Sequence, residues 1–137
     1  MIQRIQTIYL LIAAIALVVF NFIALGVDTT PDPDQVVFGK AVLPILIGSL
    51  VVAALTLVAI FMYNNRVLQS NICKLTIFLT IALMAATGYL LFGIPTTAIE
   101  VVKLGVGFPV IGLVMQFLGL KGIQADEKLV RSMDRLR

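Results

Sequence analysis

Four unbroken apolar stretches dominate this 137-residue chain. They cover residues 8–27, 41–62, 75–94 and 101–120, and every charged residue except Lys103 falls outside them. About 20 apolar helical residues cross the roughly 30 Å of hydrocarbon in a bilayer. Within that layer each backbone amide must be satisfied inside the protein, which leaves helices or a closed barrel. Barrel strands alternate apolar and polar residues, whereas these runs are continuously apolar. The sequence therefore predicts an all-α integral membrane four-helix bundle, one transmembrane domain over residues 1–137 with a cytoplasmic tail at 121–137.

Composition narrows the choice further. Hydrophobic residues make up 61% and charged residues 12% of the chain, against about 25% charged in an ordinary soluble domain. A water-soluble domain, a disordered chain and a disulfide-stapled module are excluded. The first stretch is longer than the apolar core of a signal peptide, so it is expected to be a retained anchor.

The breaks between stretches have their own chemistry. Asp28-Thr-Thr-Pro-Asp-Pro-Asp34 is a turn-rich acidic link. Pro44 suits the first turn of a helix. Asn64-Asn65-Arg66 closes the second stretch and Pro95 the third. Thr97-Ala-Ile-Glu100 has the spacing of a capping box, with Thr97 at N-cap and Glu100 at N3.

Basic residues set the expected orientation. Arg4, Arg66, Lys74, Lys121, Lys128, Arg131, Arg135 and Arg137 share one side of a four-span topology, and only Lys40 and Lys103 lie on the other. The positive side is cytoplasmic, which puts both termini inside and the chain in a bacterial cytoplasmic (inner) membrane.

The tail reads as a short amphipathic helix, with Leu129, Val130, Met133 and Leu136 at helical spacing. Lys128, Arg131, Arg135 and Arg137 supply its basic face. Such a helix lies on an anionic leaflet or docks a partner chain. The sequence leaves both open.

Within the spans the expected sites are packing sites. Gly105, Gly112 and Gly119 recur every seven residues, about 20° short of two full turns, and form a smooth stripe. Backbones approach closely along such a stripe, either from a helix of the same chain or from a second subunit. Asn21 and Gln116 lie at different depths and are each expected to find a partner across a helix interface. Pro109 interrupts the fourth span and raises the prospect of a cleft.

Chemistry has little to work with. The chain holds no histidine and one cysteine, Cys73, so catalytic, metal-ligating and cofactor-binding residues are all expected to be none. The aspartates of the first link match no calcium loop. Pumps and coupled transporters place ionisable groups at mid-membrane, and this chain places none there.

The two ends and one link resemble a known family. Met1-Ile-Gln-Arg-Ile-Gln-Thr-Ile-Tyr-Leu-Leu11, Asn65-Arg-Val-Leu-Gln69 and Asp126-Glu-Lys-Leu-Val-Arg-Ser-Met-Asp-Arg-Leu-Arg137 are similar to segments of DUF4293, a small four-helix membrane family of Bacteroidota. The resemblance covers essentially the whole chain. It implies an inner-membrane four-span protein and carries no activity, cofactor or catalytic residue. The expected function is a non-enzymatic scaffold or accessory subunit. Its partners would be membrane lipid and a homo-oligomer or larger membrane complex, without nucleic acid. The alternative is a small transporter or binder of an apolar molecule.

Overall fold

The computed structural model describes residues 2–28, 35–38, 43–92, 99–101 and 103–134. Four helices form its body: α1 (Ile2–Phe20), α2 (Leu43–Phe61), α3 (Arg66–Phe92) and α4 (Lys103–Asp134). Each packs on its neighbour in sequence, and α4 closes the ring on α1 across the most extensive interface of the four. This is an up-down-up-down bundle.

Three of the helices, α2, α3 and α4, are long and apolar enough to cross a membrane. The apolar part of α1, Ile5–Phe20, is shorter. Its outward face is still apolar, with Ile5, Ile8, Ile12 and Ile15 exposed. Ile47, Leu50, Val51, Phe78 and Ile81 continue such a surface around α2 and α3. An exposed apolar belt of this extent marks a membrane protein.

The chain caps these helices locally. Pro44 falls in the first turn of α2, where its missing N–H was free in any case. Asn65 is the N-cap of α3: its Oδ1 accepts from the Leu68 amide at 3.2 Å, and its carbonyl accepts from Gln69 at 2.9 Å. At the end of α1, the amides of Asn21 and Phe22 donate back to Val18 and Val19 at 3.1 and 2.9 Å, tightening the last turn.

Three short strands sit at the end of the bundle away from the termini: β1 (Ala24–Asp28), β2 (Gln35–Phe38) and β3 (Ile99–Val101). They form an antiparallel sheet in the order β2-β1-β3. Ala24 faces Phe38 while Gly26 faces Val37, so Leu25 is the extra residue of a bulge. The sheet joins the link after α1 to the link before α4, which ties the two helical hairpins together.

Several boundaries differ from the sequence reading. The first helix ends at Phe20, and residues 24–27 of the expected span belong to strand β1. The capping box does not form: Glu100 lies in β3 opposite Val27, and α4 begins at Lys103. Thr97, Pro95, Lys40 and the link residues Asp32 and Asp34 lie outside the described residues. The tail is no separate helix, since α4 runs unbroken through Pro109 and Leu120 to Asp134. Nothing between Leu120 and Gln124 stops it: Gly122 is the only weak helix former there, and it packs on α1.

Candidate functional site

Two layers of buried polar residues cross the bundle. Nearer the sheet, Ser49 Oγ of α2 donates to Asn21 Oδ1 at 2.8 Å. Asn21 stands one residue past α1, and its Nδ2 donates to the Leu17 carbonyl at 3.2 Å. One side chain thus covers a free carbonyl of the last turn and links α1 to α2.

The second layer centres on Gln116 of α4, which is fully buried with Thr56, Thr76 and Thr80. Gln116 Nε2 donates to Thr56 Oγ1 at 3.3 Å, and Thr80 Oγ1 lies 2.9 Å from Gln116 Oε1. The hydroxyls also reach their own backbones: Thr56 Oγ1 donates to Val52 O, and Thr80 Oγ1 is within 2.8 Å of Thr76 O. One amide therefore joins three helices. Such groups are amides and hydroxyls that satisfy one another, so they specify packing and offer no acid or base.

Gly112, Gly119 and Gly122 of α4 face α1. A Cβ at Gly112 would meet Leu17 Cγ at 3.5 Å, an ordinary contact. At Gly119 it would sit 2.9 Å from Leu10 Cδ2 and 3.1 Å from Leu10 Cγ, closer than carbon atoms pack. Gly122 is tighter still, at 2.7 Å from Gln6 Cγ. Gly105 is the third residue of α4. Gly107 faces open space. The small residues opposite, Ala13 and Ala16, are buried. The close approach is thus between helices of the same chain.

At the termini end, Arg66 and Asp126 clamp α3 to α4. Their side chains pair at 3.1 Å, and Arg66 Nη1 also donates to the Asp126 carbonyl at 3.3 Å. Beyond Asp126, α4 continues to Asp134. Leu129, Val130 and Met133 are exposed there, beside Lys128. Arg131 pairs with Glu127 one turn back at 2.7 Å, which reinforces the helix. Arg135 and Arg137 lie outside the described residues.

Other candidates are modest. A shallow apolar groove of about 230 Å³ runs along the outer face of α4, between Leu113 and Lys121. It begins a turn beyond Pro109, which is itself buried. Cys73 is fully buried in the apolar core with Leu10 and Ala59. Among the described residues no cluster of acidic, cysteine or histidine side chains is placed to hold a metal.

Sequence reasoning missed Gly122, Ser49 as the partner of Asn21, and the Arg66–Asp126 clamp. Gly122 had a legible signal, since it lies three residues past Gly119 on the same face. The clamp joins residues 60 positions apart, and no local spacing encodes that.

The sequence profile of the family described as Domain of unknown function (DUF4293) matches residues 2–136, so the chain belongs to that family. No curated protein and no solved structure matches it.

Proposed function

We propose that this DUF4293-family chain is a non-enzymatic scaffold or accessory subunit of a membrane complex, whose contact surface is the end of α4. The observation that carries the reading is the length and character of that helix. Its 32 residues correspond to about 48 Å at 1.5 Å per residue, against roughly 30 Å of hydrocarbon. Its start is fixed beside the sheet, so the surplus emerges at the other end. There it carries Leu129, Val130 and Met133 among Lys128 and Arg131. An apolar strip rimmed by basic groups on a rigid rod is the form of a helix that docks in a partner's groove. The hydrogen-bonded interior of the bundle supports a structural role, because it holds amides and hydroxyls where a pump would hold ionisable groups.

In this reading α1 is the fourth span, both termini are cytoplasmic, and the membrane is the bacterial inner membrane. The excess of basic residues at the termini end supports that orientation. A cytoplasm-only reporter fused after Arg137 gives signal, and the same reporter in the Asp32 link gives none; signal from the link reverses the topology.

The docking role is tested by purification in mild detergent from native membranes. A defined partner chain is retained by the wild type and lost from a Leu129→Asp/Met133→Asp variant of equal helix content. Identical retention by both overturns the assignment of the surface. The second reading, a binder of an apolar molecule, rests on the groove between Leu113 and Lys121. That groove is open and lies on the outer face of one helix, which suits a lipid chain better than an enclosed ligand.

A further inference from the structure

Three helices, α1, α3 and α4, converge on a small polar cavity beside the Arg66–Asp126 clamp. Gln6 and Thr7 of α1, Arg66 and Gln69 of α3, and Ile123 and Asp126 of α4 line it, with Tyr63 from the turn between α2 and α3. Its volume is about 20 Å³. One water needs roughly 10–15 Å³ of space, so the cavity has room for a water.

Gln6 makes this cavity chemically specific. It is only 5% exposed, and its Nε2 has no hydrogen-bond partner in the protein. A buried amide donor without an acceptor is strongly disfavoured. The side chain has little freedom to escape, because it lies against the backbone of α4 at Gly122, 2.7 Å from where a Cβ would be. The acceptors it lacks stand around the cavity. Asp126 Oδ2 pairs with Arg66, yet a carboxylate offers about four lone-pair positions. The Gln69 amide offers another oxygen.

The lining also discriminates between occupants. The Arg66 guanidinium opposes a cation, and the Asp126 carboxylate opposes an anion. A small neutral molecule that both accepts and donates is left.

We infer that this cavity is a hydration site for a single structural water. The water accepts a hydrogen bond from Gln6 Nε2 and donates to the Asp126 carboxylate and the Gln69 amide oxygen. It extends the α3–α4 ion pair to α1, so that three helices are locked together where α4 leaves the bundle. The inference is independent of the proposed docking role.

The test is a structure of the full chain in lipid at a resolution that shows ordered water, for the wild type and for Gln6→Met. The wild type shows one water within hydrogen-bonding distance of Gln6 Nε2 and of Asp126. In Gln6→Met that water is lost while the Arg66–Asp126 pair stays. An unfilled cavity, an ion in it, or a Gln6 amide bonded directly to a protein oxygen overturns the inference. A water unchanged in Gln6→Met also overturns it, since Gln6 is then not its donor. Should Gln6→Met not fold, water-to-amide cross-relaxation on the wild type decides. The Gln6 side-chain protons then show transfer from a long-lived bound water, and no transfer overturns the site.

Discussion

The inner part of α4, up to Asp126, and the outer part, from Glu127 on, share one unbroken helix and almost nothing else. The inner part is stabilised by what it touches. Gly119 and Gly122 admit Leu10 and Gln6, and Gln116 bonds across to α2 and α3. The outer part is stabilised by its own side chains, through Glu127–Arg131 one turn apart and a basic last turn that suits the helix dipole. Helical continuity therefore says little about burial. The Arg66–Asp126 pair marks the place where the environment changes.

This contrast sets the order of mutational effects. Gly119→Leu gives the largest. Its Cβ alone overlaps Leu10, which is fully buried, and overpacking of this kind costs about 1–3 kcal/mol. Thermal unfolding in detergent should show it clearly. Gly112→Leu falls between, and Gly107→Leu leaves the midpoint nearly unchanged because its Cβ meets no atom within 4 Å. Equal midpoints for the three variants would break the claim that the inner part is held by close contact with α1.

Gln116→Leu comes next, with a loss of about 1 kcal/mol. The effect stays modest because Thr56 and Thr80 both keep backbone carbonyls to donate to. A much larger loss by the same measurement would mean that the amide does more than join helices.

Asp126→Asn tests the boundary itself. The two side chains of the pair are 29% and 18% exposed, so solvent screens it and the loss is about 0.5–1 kcal/mol. Raising the salt concentration should narrow the gap to wild type. A gap indifferent to salt would argue that the residue acts through packing.

How much of this was legible in the sequence follows from the range of each interaction. The apolar runs announced the helices because burial in lipid is written residue by residue. The glycine spacing on α4 announced a contact face, and the polar residues Asn21 and Gln116 announced themselves by being alone in apolar runs. Strand β1 was hidden because residues 24–27 continue the apolar run of α1. A short apolar segment fits strand and helix alike. Glu100 read as a helix cap for a similar reason: its spacing from Thr97 is local, while its pairing with Val27 spans most of the chain. The orphaned Gln6 amide was invisible, since it depends on Gly122 passing closely over it.

Arg131→Gln has the smallest effect on stability. Its side chain is 73% exposed, and the change should stay within about 0.5 kcal/mol. If the outer part of α4 serves binding and not folding, the same substitution weakens partner retention while the unfolding midpoint holds.

The most direct test of the account is photo-crosslinking in native membranes from a probe at Met133, with Val114 as its lipid-facing counterpart on the same helix. The account predicts a discrete protein adduct from Met133, abolished by Leu129→Asp, and only lipid adducts from Val114. Lipid adducts alone from Met133 would contradict it, for they would show that the end of α4 bends onto the leaflet and presents no surface to a partner.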